Sequence, residues 1–367
     1  MKILQLGKFY PIRGGVEKVM WDITRGLDGA GVSCDMLCAC LDPEAAGELR
    51  FPGGNRVICV KAYKKLAATM IAPEMVRWLR SHAAEYDLIH IHHPDPMAAL
   101  ALRLSGFKGP VVLHWHSDIL SQKALLALYR PLQSWLIRRA KRIVCTTPVY
   151  LQESPWLRTV QDKGLAIPIG IEPVRPNLEK AAALKSRFPG KTILLSIGRL
   201  VPYKGYTYLV EAMRELPENY QLILGGMGPL EEELRQQVHN AGLDSRVNFI
   251  GYVPDEDLAD WYAAADLFVL PSVFRTEAFG IVQIEAMSCG CPVVATQIPG
   301  SGVSWVNRDG VSGVNVPPGD SHALAQGILR AMQNRNTFSE GARSLFQERY
   351  TFHSMINQII NLYENLL

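Results

Sequence analysis

Short apolar runs alternate along the chain with stretches in which apolar positions recur every three or four residues. Lys2 to Gly7 reads as a strand, and Val16 to Ala30 as a helix with Val16, Val19, Met20, Ile23 and Leu27 on one face. Strand-like runs recur at Val57 to Val60, Leu88 to Ile91, Val111 to His114, Ile143 to Thr146 and Leu165 to Ile169, with helical patterns between most of them. Strands separated by helices predict a parallel sheet covered on both faces. The punctuation Pro168-Ile-Gly-Ile-Glu-Pro173 suits a linker. After it the alternation restarts: a strand at Thr192 to Ile197, a helix from Tyr206, strands at Gln221 to Leu224 and Val247 to Ile250, an apolar run at Asp266 to Leu270 and another at Pro292 to Ala295. Helices follow near Ser321 to Met332 and at the C-terminal end. The pattern predicts two successive α/β units, without the short repeat of a solenoid. Two doubly wound domains facing each other would form a cleft lined by strand carboxyl ends.

Length and composition fit that reading. A chain of 367 residues exceeds one ordinary core, and 48% hydrophobic with 20% charged residues suits a globular protein. The opening run is too short for a signal peptide, and no stretch approaches the roughly 20 apolar residues that span a bilayer. A cytoplasmic location is therefore expected. Seven cysteines, at 34, 38, 40, 59, 145, 289 and 291, include no C-x2-C pair and read as reduced, buried thiols. The net charge of +3 divides unevenly. Residues 1–170 carry 22 Lys and Arg against 14 Asp and Glu, net +8; the remainder carries 16 against 21, net −5. A basic half implies an anionic partner.

The candidate chemistry centres on Thr276 to Ala286, in which Glu277 and Glu285 stand in an E-x7-E spacing. An apolar run, a loop with Pro271 and Ser272, then apolar Ile281, Ile284 and Met287 describe strand, loop and helix. Glu277 belongs in the loop and Glu285 within the helix. Amides at such a helix start bind anions, and a carboxylate on either side can take hydroxyl groups. Taken alone, the pair reads more readily as a helix cap, Glu277, and a solvated helix residue, Glu285. Gly14-Gly15 at the start of the first helix lets backbone approach a ligand, or is a simple turn. Gly198-Arg199-Leu-Val-Pro-Tyr-Lys204 offers a guanidinium fork and a point charge on one loop, which can clamp a diphosphate or, taken alone, be plain surface charge. Gly225-Gly226-Met-Gly-Pro229 is a second close-approach turn. His116 ends a strand in His114-Trp-His-Ser-Asp118, while His90, His92 and His93 end another; each suits packing or a hydroxyl partner, and no third ligand supports a metal at His114 and His116. Asp255-Glu256-Asp257 opens a helical run after Pro254 and reads as capping rather than metal binding. Leu125 to Arg142 sets Trp135 among leucines and ends in Arg138, Arg139, Lys141 and Arg142, the composition of an interfacial segment or of a core helix with a solvated end. No nucleic-acid motif accompanies the charge.

In order and spacing these features resemble the retaining E-x7-E glycosyltransferases of GT-B fold, over nearly the whole chain. The wording around His114-Trp-His-Ser-Asp and Arg275-Thr-Glu-Ala-Phe-Gly is most similar to mannosyltransferases of bacterial polysaccharide and O-antigen assembly. The resemblance implies two Rossmann-like domains, about 1–170 and 171–350, with a C-terminal helix (351–367) returning to the first. It implies that Arg199 and Lys204 hold a nucleotide sugar's diphosphate, with Gly198 and Gly226 close by, that Glu285 holds the ribose, and that Tyr252 and Val253 seat the base. Glu277 would hold the transferred sugar beside the amides of Phe279, Gly280 and Ile281; His116 and the Gly14-Gly15 loop would approach from the other domain. Neither a metal nor a resident cofactor is expected, since Arg199, Lys204 and helix amides supply positive field for the leaving diphosphate. The expected reaction moves a hexose onto a lipid-linked or growing surface glycan at an anionic membrane face. GDP-mannose is the first expectation for the donor and a UDP-hexose the alternative; a catalytically idle sugar-nucleotide-binding subunit and a sugar-nucleotide epimerase are the other readings.

Overall fold

A computed structural model describes residues 1–12, 14–66, 69–119 and 123–367, the side chains of 123–125 excepted. Arg13 of the first loop and the side chain of Leu125, which begins the basic segment, lie outside the described residues. The chain divides into two compact units, residues 1–169 with 352–367 and residues 170–351.

In the first unit the strands are β1 (Lys2–Phe9), β2 (Ser33–Cys40), β3 (Gly47–Arg50), β4 (Arg56–Lys61), a small hairpin of β5 (Lys64–Leu66) and β6 (Thr69–Ile71), β7 (Leu88–His93), β8 (Val111–Trp115), β9 (Arg142–Cys145) and β10 (Gly164–Ala166). One sheet runs β10-β9-β8-β7-β1-β2-β4-β3, parallel except for the antiparallel edge β3. Ile3, Leu4 and Leu6 of β1 have no exposed surface, as expected of a central strand covered on both faces. The sequence pattern omits β2, whose Ser-Cys-Asp-Met-Leu-Cys-Ala-Cys lacks β-branched residues; tertiary burial between β1 and β4 makes it a strand regardless. At the other edge the expected strand to Ile169 shortens to β10, and Ile167 adds one bond to Cys145 O at 2.9 Å before Pro168, which lacks a donor. The chain order reverses at β1, with β2 on one side and β7 on the other. That places a ligand crevice beyond the carboxyl ends of β1 and β7. The last helix, Phe352–Glu364, packs on the helix Gly15–Gly29, with Arg25 over the Phe352 ring at 4.4 Å.

The second unit holds β11 (Thr192–Ile197), β12 (Tyr220–Gly225), β13 (Val247–Gly251), β14 (Leu267–Leu270), β15 (Val293–Thr296) and β16 (Gly313–Val316), all parallel in the order β13-β12-β11-β14-β15-β16. The reversal here falls between β11 and β14, so the loops after those two strands flank the crevice. All seven cysteines are free thiols, six buried and Cys289 partly so.

Five histidines at the carboxyl ends of β7 and β8 are buried: His90, His92, His93, His114 and His116. Burial holds His90, His92 and His116 well below the usual imidazole range and brings His93 and His114 down to about 3. These groups fold neutral, whereas the unfolded chain takes up protons near pH 6.5. Stability is therefore full above about pH 6.5 and is lost as pH falls toward about 3, by roughly 1.4 kcal/mol per pH unit for each histidine. A series of thermal melts between pH 7.5 and 4 should show the first unit losing stability as pH drops through 6, and His114→Leu should flatten that slope.

Candidate functional site

In the second unit the site is built by the loops after β11 and β14. Gly198 ends β11 with φ 155° and Gly226 follows β12 with φ 129°; a Cβ on Gly226 would stand 1.9 Å from the Gly198 carbonyl oxygen, so only glycine lets the two loops meet. Lys204 is 7% exposed, and its Nζ lies 2.6 Å from Glu277 Oε2. Burial works against its charge, but Glu277, with Tyr206 and Tyr203, outweighs that and holds the amine above its ordinary range. Ser272 Oγ donates to the same Glu277 oxygen at 3.1 Å, and Ser301 Oγ donates to the Glu277 carbonyl. Val273 N donates to Tyr203 O at 2.8 Å, tying the two loops together through backbone as well. The ammonium of Lys204, which the sequence offers as part of a diphosphate clamp, is paired with a carboxylate, and Glu277 is held by side chains rather than capping a helix.

Arg199 differs from Lys204. Its guanidinium is exposed and donates to Tyr203 Oη at 3.2 Å, free to reorient toward an anion. After β14 the helix Ile281–Ser288 begins behind Gly280, whose φ of 74° turns the chain. Phe279 is buried edge-on against Tyr350, at 6.1 Å between ring centres, which fixes the loop just before the helix start. Glu285 sits in the second turn and accepts from Tyr262 Oη at 2.9 Å. Val253 is buried while Tyr252 is 65% exposed at the end of β13. Arg199, Lys204, Gly198, Gly226, Glu277, Phe279, Gly280, Ile281 and Glu285 thus come from loops and one helix at the carboxyl edge of a single sheet. Asp255 and Glu256 open the helix Asp255–Ala264 without a side-chain cap, and Asp257 pairs with Lys180 at 3.6 Å, so the D-x-D acts through the helix dipole.

The first unit contributes its own group beyond β1, β7 and β8. Gly14 is extended, and a Cβ there would stand 2.9 Å from Glu17 Oε2; Gly15 starts the following helix. His116 is buried, with Nε2 2.9 Å from His92 Nδ1, and His92 Nε2 lies 2.6 Å from Gln5 Oε1. Sequence patterning missed Gln5, which looks like an ordinary strand residue, and Lys8. Lys8 carries φ 63°, the one left-handed non-glycine among the described residues, while its amide donates to Asp95 Oδ2 at 2.8 Å. His90, His92 and His114 bring ring nitrogens within 4.8 Å of one another. Their rings stack within 26° of parallel, so the lone pairs run side by side, and both His92 nitrogens are committed. A metal ion there would have to break that network.

The basic segment forms the helix Lys123–Arg139. Arg139 donates to Phe107 O and Gly109 O of the loop before β8, and Lys163 donates to Arg138 O and Ala140 O, so Lys163 finishes the helix end while Arg139 is tied to a neighbouring loop. Arg138 and Lys141 remain exposed, and Leu128 is 81% exposed on the same helix. No helix among the described residues is long and apolar enough to cross a membrane.

Residues 13–174 match the model of Glycosyltransferase Family 4, and residues 180–345 that of Glycosyl transferases group 1. The chain is 32% identical over 374 residues to the O-antigen chain mannosyltransferase C of Escherichia coli, covering 100% of this chain and 99% of the relative. It is 32% identical over 333 residues to the D-rhamnosyltransferase WbpZ of Pseudomonas aeruginosa, covering 89% and 86%. Among solved structures, the sucrose-phosphate synthase of Thermosynechococcus elongatus superposes with a TM-score of 0.82 at 26% identity, covering 100% and 99%. Full-length similarity at this level, with a family model on each half and two Rossmann-like sheets, means that the chain belongs to the glycosyltransferases and has the GT-B fold.

Proposed function

We propose that the protein transfers mannose from GDP-mannose, with retention of anomeric configuration, to a lipid-linked or growing surface glycan. The observation that carries this reading is the buried Lys204–Glu277 pair beside a helix start at the carboxyl edge of the second sheet. Breaking an anomeric bond to a diphosphate leaves negative charge on the leaving group while the sugar becomes oxocarbenium-like. Lys204 and the first-turn amides of the helix Ile281–Ser288, near Phe279 and Gly280, supply a fixed positive field there, and exposed Arg199 turns toward the diphosphate. Glu277, held by Lys204 and Ser272, directs its remaining acceptor capacity to sugar hydroxyls. Glu285, steadied by Tyr262, takes the ribose hydroxyls, with the base beside Tyr252 and Val253. From the first unit, His116 serves the transferred sugar and the Gly14-Gly15 loop serves the donor phosphate and the acceptor.

Similarity to an O-antigen mannosyltransferase supports mannose, and the basic first half, with Arg138, Lys141 and Leu128 exposed, supports an acceptor presented on an anionic lipid surface. A UDP-hexose donor is the second reading.

The test is incubation of the protein with labelled GDP-mannose or UDP-hexoses and a membrane lipid extract. Label entering the lipid-linked fraction from GDP-mannose, with the donor's anomeric configuration in the product, is the expected outcome. Donor conversion without acceptor would indicate an epimerase, and binding without turnover an idle subunit. Among variants, Glu285→Ala should weaken donor binding about tenfold, the size of one hydrogen bond to a charged group. Glu277→Ala should act mainly on kcat. Lys204→Ala should weaken donor binding and also cost about 3 kcal/mol of stability, because it strands a buried carboxylate; adding Glu277→Gln should recover part of that stability in a melt. Vesicle co-sedimentation should show salt-sensitive binding to anionic lipid that falls in an Arg138→Ala/Lys141→Ala variant.

A further inference from the structure

The first unit contains a hydrogen-bonded chain that runs from the candidate site into its core. Gln5 Nε2 donates to Tyr363 Oη at 2.8 Å, and His90 Nδ1 lies 2.6 Å from the same hydroxyl. Gln5 Oε1 lies 2.6 Å from His92 Nε2, and His92 Nδ1 lies 2.9 Å from His116 Nε2. Gln5, His90, His92 and Tyr363 have no exposed surface, and His116 is 6% exposed. The residues come from β1, β7, the end of β8 and the last helix, 358 positions apart at the extremes.

The Gln5 amide lies with Oε1 toward His92 and Nε2 toward Tyr363 Oη, and donor and acceptor counting starts from that placement. An amide oxygen only accepts, so His92 must carry its proton on Nε2 to meet Gln5 Oε1. The ring folds neutral, which leaves His92 Nδ1 bare and able only to accept. His116 Nε2 must then be the donor of the 2.9 Å bond, and a neutral His116 has its lone pair on Nδ1. That nitrogen has no partner among the described residues. It is the open end of the chain.

We propose that Gln5, His92 and Tyr363 are positioning residues that hold His116 as the Nε2-protonated neutral imidazole and so present its Nδ1 lone pair to a hydroxyl of the transferred sugar. This rests on the reading of His116 as a substrate contact. Tyr363 Oη accepts from Gln5 Nε2 and meets His90 Nδ1, so the helix that returns to the first unit anchors the far end of the chain. The arrangement makes the site selective for a hydroxyl that donates, because an acceptor or a deoxy position facing Nδ1 would leave a buried lone pair unmet.

The test uses the full-length protein labelled with ring-15N histidine, with His116→Gln to assign the resonance. The expected spectrum shows the His116 proton on Nε2 and a bare Nδ1. In Gln5→Leu and Tyr363→Phe the His116 signal should shift toward a mixture of tautomers, with kcat/KM down about fivefold, the size of one neutral hydrogen bond. Tyr363→Phe keeps the ring in the core, so a fold with an unchanged melt still reports on the hydroxyl. Gln5→Glu, whose carboxylate accepts from His92 as the amide does, should retain the Nε2 proton. A proton on His116 Nδ1 in the unaltered protein, or a tautomer indifferent to Gln5→Leu, would overturn the proposal. An unchanged kcat/KM in His116→Ala would instead overturn the reading of His116 as a substrate contact, whatever the spectrum shows.

Discussion

An ammonium and a carboxylate 2.6 Å apart and almost out of water depend on each other: either one alone would be a buried, uncompensated charge. The candidate site of the second unit follows from that constraint. Lys204 has to leave β11 on a loop tight enough to reach Glu277, which Gly198, and Gly205 at φ 70°, allow. Glu277 has to sit on the loop after β14, where Ser272 and Ser301 hold its carboxylate and its carbonyl. The strand reversal between β11 and β14 brings the two loops side by side. A pair of this kind contributes little net stability; it keeps two charged groups in fixed positions where the proposed reaction would develop charge.

How much of this was legible in the sequence depends on the range of the interaction. The β11 strand appears at its predicted limits, because a six-residue apolar run bounded by Lys191 and Gly198 is a local signal. The E-x7-E spacing likewise placed Glu277 on a loop and Glu285 on a helix. The parallel sheets followed from alternation, but β2 and β16 did not, since their strand character comes from neighbours 20 or more residues away. Pairing was the harder matter. Nothing local says that Lys204 pairs with Glu277, that Arg139 binds the loop before β8, or that Gln5 meets Tyr363. Each is a contact between residues 30 or more apart in sequence, set by topology.

The histidines show the same lesson from the other side. Three endings of strand β7, His90, His92 and His93, and two of β8 look alike in sequence as packed or functional residues. Their hydrogen bonds separate them: His92 is fully committed, and among the described residues His114 has no hydrogen-bond partner and His116 uses only its Nε2. Keeping five imidazoles neutral in a core costs stability in acid, and a fold that tolerates this cost has placed donors and acceptors where a carboxylate would have brought a charge.

The most direct test is a thermal-shift titration of the protein and of Lys204→Ala with GDP, GDP-mannose, UDP and UDP-glucose, since a ligand bound only by the folded state raises the melting temperature by mass action. The proposed function predicts that guanine nucleotides stabilise the protein more than uridine ones at equal concentration and that most of this stabilisation disappears in Lys204→Ala. Stabilisation by neither base, or an equal shift in Lys204→Ala, would contradict it.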